Sequence, residues 1–340
     1  MSLLPYVERV ISRENLSSAD ALAAMRAILG GEASQPEIAA FLTALRMKGE
    51  TVEELVGFAR AMREKAEPVD CGLPGETLLD TCGTGGDGAT TFNISTVAAF
   101  VAAGAGVRVA KHGNRSFTGR CGSADLLEEL GIAIAIPPSE AARAIREIGI
   151  GFLFAPAIHS AMKHAQPVRA ALKMRTVFNL LGPLTNPAGA DAQLVGAPSP
   201  RNAELMAGAL ASLGLRRGFV VHGSDGLDEI TTTGPTLAFS IASGRVQRLA
   251  LAPEDFGVPP ARPEDLQGGD KSTHAAIARA VLAGAPGPQR DVVLVNASAA
   301  LVAAGKAADF LEGMALAAHS IDSGAAAAKI AALARFAVDR

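Results

Sequence analysis

The chain has 340 residues, with 31 Lys and Arg against 34 Asp and Glu, a formal net charge of −3. Hydrophobic residues make up 49% and charged residues 19%, enough for a sizeable core and too apolar for disorder. One Tyr, no Trp and a slightly acidic balance offer neither a basic stripe nor stacking rings, which disfavours general nucleic-acid binding. Apolar stretches such as residues 97–107 fall well short of the roughly 20 residues that a bilayer span needs. Glu8 and Arg9 interrupt the apolar core that a secretory signal requires. Cys71, Cys82 and Cys121 are odd in number, with no CxxC and no disulfide framework, so a reducing, cytoplasmic setting is expected.

Residues 1–67 read as helices only. Ser34-Gln35-Pro36-Glu37 is a capping box with Pro near the first turn, and Ile38, Phe41, Leu42 and Leu45 follow at helical spacing. Thr51-Val52-Glu53-Glu54 repeats the device before Leu55, Val56, Ala59 and Met62. Gly30-Gly31 and Gly49 stand where helices end. These short helices carry more apolar face than they can bury among themselves, so they should pack on the rest of the chain or on a second copy. The expected division is a helical domain over residues 1–68, with a helical segment at about 163–186 packing on it, and an α/β domain over 69–340.

After Pro68 the rhythm changes. Short β-branched or apolar runs at 77–79, 107–110, 132–136, 150–154, 194–197 and 219–221 alternate with Ala- and Leu-rich helical stretches. That alternation predicts βαβ units, hence an α/β class with a central, mainly parallel sheet flanked by helices. Runs at 236–241 and 246–251, joined by Ala242-Ser243-Gly244-Arg245, predict an antiparallel hairpin at one edge. From Asp291 onward the chain reads as helical.

The sharpest feature is Asp80-Thr81-Cys82-Gly83-Thr84-Gly85-Gly86-Asp87-Gly88, directly after a predicted strand. Thr91-Phe92-Asn93-Ile94-Ser95-Thr96 then opens an apolar helix. Glycines let the backbone approach a ligand closely, and a helix N-terminus presents unpaired N–H groups with partial positive charge. The pattern predicts an anion site, for phosphate or pyrophosphate. It is neither GxxxxGK[ST] nor a clean GxGxxG.

The next predicted strand ends in Lys111-His112-Gly113-Asn114-Arg115, and Ser116 to Ser123 lead into another helix. Ligands of open parallel sheets sit beyond the carboxyl ends of the strands, so two such loops should share one crevice. Lys111 and Arg115 would supply charge there, with Asn114, Thr118, Gly119 and Ser123 as neutral contacts. Asp228-Glu229 follows a further strand and offers hard oxygen ligands suited to Mg²⁺ beside a pyrophosphate, with Ser95 as a further oxygen. Arg169 follows Pro167 in a first helical turn, where a cation opposes the helix dipole and a carboxylate partner would account for it. Cys82 and Cys121 fall in the two loops, where nearby helix N–H groups are expected to lend them thiolate character. The six histidines show no metal spacing, and no GxSxG nucleophile occurs.

At these residues the sequence resembles the anthranilate phosphoribosyltransferase family of the nucleoside phosphorylase/phosphoribosyltransferase superfamily. GTGGD, TFNIST, KHGNR, GSADLLEELG, FAPAIHSAMKH, PVRAALKMRTVFNLLGPLTNP and DGLDEIT occur in order across nearly the whole chain. The resemblance implies a helical domain carrying a homodimer interface, an α/β domain, and transfer of phosphoribosyl from 5-phosphoribosyl 1-diphosphate (PRPP) to anthranilate in tryptophan biosynthesis. It implies Mg²⁺, two ions per subunit. Carried over by position, it assigns PRPP contacts to Gly83, Gly86, Asp87, Thr91, Asn93, Ile94, Ser95, Thr96, Lys111, His112, Gly113, Asn114, Arg115, Ser116, Phe117, Thr118, Gly119 and Ser123. Anthranilate contacts fall to Gly83, Asn114 and Arg169, and metal positions to Ser95, Asp228 and Glu229. No general base is implied, because an aryl amine is neutral at physiological pH. Phe117-Thr118-Gly119-Arg120-Cys121 departs from the Ser-rich run common in the family. A pyrimidine nucleoside phosphorylase would need a Lys-containing glycine loop and a Lys-Met-Ser-Gly-Arg segment, both absent. A nucleic-acid-binding paralogue would need a basic surface and degraded metal acids.

Overall fold

The N-terminal helices are α1 (Leu4–Ile11), α2 (Ser18–Leu29), α3 (Gln35–Lys48) and α4 (Val52–Lys65) in a computed structural model that describes residues 2–85, 91–116 and 121–336. Their starts follow from local chemistry. Ser17 caps α2, while Ser34 with Glu37 and Thr51 with Glu54 close two capping boxes. Gly30 and Gly49 end α2 and α3. Glu54 also closes the bundle: its buried carboxylate accepts from Leu16 N at 2.9 Å, Thr51 N at 2.9 Å and Lys48 Nζ at 3.0 Å.

The remainder alternates as expected. It comprises β1 (Leu78–Gly83), α5 (Ile94–Gly104), β2 (Arg108–Gly113), α6 (Ser123–Glu129), α7 (Pro138–Glu147) and β3 (Ile150–Phe154). Next come α8 (Ala155–Ile158), α9 (Gln166–Leu172), α10 (Phe178–Leu181), β4 (Ala192–Gly196), α11 (Pro200–Ser212) and β5 (Arg217–Gly223). The chain finishes with β6 (Thr236–Ala242), β7 (Arg245–Leu251), α12 (Lys271–Leu282), α13 (Pro288–Ala303), α14 (Phe310–Asp322) and α15 (Ala325–Phe336).

Among the described residues, seven strands form one sheet in the order β3-β2-β1-β4-β5-β6-β7. The first five are mutually parallel, and β6 and β7 are antiparallel. The β6–β7 hairpin turns through Ser243 and Gly244, both at positive φ. One expected strand does not form. In residues 132–136, Ile132 and Ile134 are buried in alternation with exposed neighbours, but the segment joins no ladder. Pro137 and Pro138 follow it at once and donate no N–H, so the alternation reports packing alone.

The sheet separates the two largest of three cores. Leu79, Leu194 and Val221 face the core shared with α5 and α13, while Cys82, Val195 and Val220 face the core shared with the N-terminal helices and α11. Ala165, Val168, Phe178 and Leu184 also enter this second core. Among the described residues, no helix is long and apolar enough to cross a membrane.

Candidate active site

The carboxyl ends of β1, β4 and β5 bring the first loop and the acidic pair together. Asp228 and Glu229 follow β5 in a tight loop whose apex is pinned by Asp225, which accepts from Thr231 Oγ1 at 2.7 Å and Thr233 Oγ1 at 2.6 Å. The backbone of Asp228 then passes directly over Gly196 at the end of β4, and its carboxylate lies against Gly83 at the end of β1. A Cβ at either glycine would collide with it, so both positions need the missing side chain.

Both carboxylates are turned onto backbone donors. Gly85 N donates to Asp228 Oδ2 at 2.9 Å, and Ser95 N donates to Glu229 Oε1 at 3.1 Å. Each acid is only 8% exposed. Two buried carboxylates beside the hydroxyl-bearing Ser95 form a hard-oxygen donor set, the chemistry magnesium favours.

Helix α5 begins at this point. Asn93 is its N-cap, and its amide links two further segments: Nδ2 donates to Cys121 O at 3.3 Å, and Oδ1 accepts from His274 Nδ1 at 2.6 Å. Thr91 bridges to Gln267. Ile94 buries its side chain in the core, and Thr96 Oγ1 is buried with no partner among the described residues.

Both cations expected to supply charge from the second loop are engaged within the protein. Lys111 is 3% exposed, and its Nζ donates to Thr81 O at 2.5 Å, so it lies between β1 and β2. Burial draws its ammonium below the ordinary value, opposed by the charges of Asp80 and Glu229. The Arg115 guanidinium pairs with Glu128 at 2.6 Å and Asp125 at 3.1 Å, which spends its charge on fastening the loop to α6. Ser116 N also donates to Asp125, and Ser123 Oγ donates to Asn114 O at 3.1 Å. Gly113 lies against Ser123.

His112 turns away under the α10 segment. Its Nδ1–H donates to Gly182 O at 3.1 Å, and its ring lies 5.2 Å from that of His159. Neither Nε2 has a partner among the described residues. Burial lowers His112 to about 4 and His159 to about 3, so both rings are neutral at working pH.

Arg169 sits on α9 with its guanidinium carbon 5.3 Å from the Phe178 ring centroid, and it has no ion pair among the described residues. The sequence expected a carboxylate partner for it, and the fold supplies none within that set. Gly86, Asp87, Phe117, Thr118 and Gly119 lie outside the described residues.

The thiol expectation is corrected. Cys82 and Cys121 belong to different cores, so they do not face one another. Burial pushes the Cys82 thiol well above its ordinary value and Cys121 up to about 11. Desolvation outweighs the helix N-termini here.

Sequence reasoning missed several supporting residues. Asp80, fully buried, accepts from His112 N at 3.1 Å and Asn186 Nδ2 at 2.8 Å, tying β1 to β2 beneath the loops. A shallow cleft beside Gly85 is lined by Arg46, Glu50, Thr84, Arg175 and Thr176. The Asp in the DTCGTGG run was readable as a polar residue inside a strand; the cleft residues carry no common signal.

Comparison with known proteins shows the family of the chain. Residues 75–327 match the model described as the α/β domain of a glycosyl transferase family, and residues 4–66 match its helical bundle domain. The chain is 71% identical over 340 residues to the anthranilate phosphoribosyltransferase of Solibacter usitatus, covering 100% of both. It superposes on the Thermus thermophilus anthranilate phosphoribosyltransferase with a TM-score of 0.91 at 47% identity, covering 97% of this chain and 98% of that one. The Saccharomyces cerevisiae enzyme, solved in complex with PRPP and Mg, gives a TM-score of 0.91 at 30% identity, covering 99% and 98%. The yeast enzyme has also been solved with 4-fluoroanthranilate. The chain therefore belongs to this glycosyl transferase family and, within it, to the anthranilate phosphoribosyltransferases.

Proposed function

We propose that this chain transfers the 5-phosphoribosyl group of PRPP to the amino group of anthranilate in tryptophan biosynthesis, as a magnesium-dependent cytoplasmic homodimer. The observation that carries the reading is the seating of Asp228 and Glu229 on the backbone donors of Gly85 and Ser95, at the meeting point of the glycine loop and α5.

In the reaction the bond from the anomeric carbon to pyrophosphate breaks and a bond from that carbon to the aryl nitrogen forms, after which nitrogen gives up a proton. The residues present fit magnesium, and Asp228, Glu229 and Ser95 would hold two ions per subunit. When bound, the metal supplies charge that stabilises the departing pyrophosphate. The chain supplies the rest by position. Gly83 lets the crevice floor approach the substrate, and the first turn of α5, from Asn93 to Thr96, directs the positive end of the helix dipole and the Ser95 hydroxyl toward phosphate. Lys111 adds positive charge from below, and Asp125 fastens Arg115 and Ser116 at the start of the second loop and Gly122 at its end. Asn114 and Arg169 orient anthranilate, Arg169 through a planar fork matched to its carboxylate. No base is needed for a neutral amine, so positioning and leaving-group electrostatics carry the rate.

The division at residue 68 gives the helical part the dimer contact. What supports it is apolar exposure on α1 and α3: Leu4 is 55%, Ile11 66% and Met47 74% exposed. The three free, buried thiols fit a reducing cytoplasm.

Anthranilate fluorescence tests the reading, because it is lost as the ribosylated product forms. Loss that requires both PRPP and Mg²⁺ is the expected result. No loss, together with phosphate-dependent cleavage of a pyrimidine nucleoside, would overturn it.

A further inference from the structure

Asn296 is fully buried in α13, within the apolar run Val292-Val293-Leu294-Val295-Asn296-Ala297. Its amide is almost wholly directed at a single residue elsewhere in the chain. Oδ1 accepts from Ile230 N at 3.0 Å, and Nδ2 donates to Ile230 O at 2.9 Å and to Val292 O at 2.9 Å. The side chain thus holds both the N–H and the C=O of Ile230, as a partner strand would. Ile230 directly follows Glu229. A buried amide is costly unless satisfied, so a position serving only to fill α13 would suit an apolar residue better.

The same short segment is confined from its other sides. Gly196 leaves no room beneath the Asp228 backbone. Thr231 N donates to Thr236 Oγ1 at 3.0 Å, and Asp225 holds the Thr231 and Thr233 hydroxyls. Only Asn296 reaches across from the helical layer to the peptide next to the acids, among the described residues.

We propose that Asn296 is a positioning residue for the acidic pair. By fixing the backbone at Ile230 it sets where Asp228 and Glu229 stand against Gly85 and Ser95, and so sets the affinity for the magnesium that accompanies the diphosphate. The inference rests on the reading that those two acids hold the metal. Asn296 itself touches no substrate.

The test is calorimetric titration of Mg²⁺ into the full-length protein with PRPP present and anthranilate absent. It compares wild type, Asn296→Ala, Asn296→Asp, Asp228→Asn and Ser298→Ala. Ser298 is a buried residue of the same helix whose hydroxyl donates to Phe310 O at 2.7 Å, so its variant loosens α13 without touching Ile230. Loss of a residue that orients a metal ligand raises the metal dissociation constant roughly tenfold to a hundredfold. That rise is expected in Asn296→Ala, with unchanged anthranilate KM at saturating Mg²⁺ and no rise in Ser298→Ala. Asn296→Asp keeps the shape and the acceptor but loses the donors, and carries the test if the Ala variant does not fold. A wild-type Mg²⁺ affinity in the Asn296 variants, with a weakened one in Asp228→Asn, overturns the positioning role. An equal weakening in Ser298→Ala overturns it as well. An unchanged affinity in Asp228→Asn overturns the metal reading on which it stands.

Discussion

Ser95 and Glu229 lie 134 residues apart in the chain and are joined by a hydrogen bond of 3.1 Å, from the Ser95 N–H in the first turn of α5 to Glu229 Oε1. A carboxylate at a helix N-terminus is favoured by the helix dipole, by roughly 0.3–1 kcal/mol for each such placement. The contact also puts the acids proposed to hold the metal and the turn proposed to face phosphate in direct register. A shift of one moves the other.

The helical bundle depends on Glu54, which bonds Lys48, Leu16 and Thr51 from a fully buried position. Removing one partner of a buried pair leaves an uncompensated charge, at a cost of about 3–5 kcal/mol. Glu54→Ala should therefore unfold at markedly lower denaturant, whereas replacing both Glu54 and Lys48 by apolar residues should recover much of the loss. Equilibrium urea unfolding of the three chains measures this, and a Glu54→Ala midpoint equal to wild type would refute it.

The thiols should be inert in the folded protein. Burial raises all three, Cys82 most strongly. A chromogenic disulfide reagent should titrate three thiols only after denaturation, and alkylating reagents should not inactivate the enzyme quickly. Fast reaction of one native thiol would show that burial does not govern them.

His112 and His159 give stability a pH dependence of known sign. Both fall below their ordinary value of 6.5, to about 4 and about 3, because burial penalises the charged ring. The unfolded chain then binds protons that the folded one does not, so their contribution is fully present above pH 6.5 and is lost as pH falls toward 4 and then 3. The loss is on the order of 3–5 kcal/mol for each fully titrated ring. Thermal melts across this range should show a shallower decline for the His112→Gln/His159→Gln double variant than for wild type. Parallel declines would remove the pair from the account.

Association should run through α1 and α3. Met47, 74% exposed, is an apolar side chain that a partner helix would cover. Light scattering at micromolar concentration should give a dimer for wild type and a monomer for Met47→Glu. A wild-type monomer would contradict the proposed interface.

Legibility in the sequence followed the range of the signal. Ser34 with Glu37 and Thr51 with Glu54 act within one helical turn, and both capping boxes stand where they were read. The apolar run at 150–154 located β3 residue for residue, since a buried parallel strand is an apolar run between turns. The same kind of run failed at 132–136, where packing buries Ile132 and Ile134 without a ladder. The acidic pair could be singled out by its chemistry, but its seating on Gly85 and Ser95 depends on contacts over 130 residues away in sequence. Asn296 gave one faint cue, an amide in an apolar helix, and nothing local says which peptide it holds. Cys82 was misjudged because solvent exclusion, a property of the whole fold, outweighs a nearby helix end.

The division of labour between Arg169 and the acidic pair is the central claim, and steady-state kinetics with both substrates varied tests it most directly. Arg169 should hold the anthranilate carboxylate equally in ground and transition states. Arg169→Ala should then raise the anthranilate KM about ten- to a hundredfold, since a charged hydrogen-bonded contact contributes roughly 1.5–3 kcal/mol. Arg169→Lys should not restore it, because an ammonium lacks the planar fork. Asp228→Asn should instead lose kcat, with only partial recovery in excess Mg²⁺. An unchanged anthranilate KM in Arg169→Ala, or a wild-type kcat for Asp228→Asn at low Mg²⁺, would contradict the account.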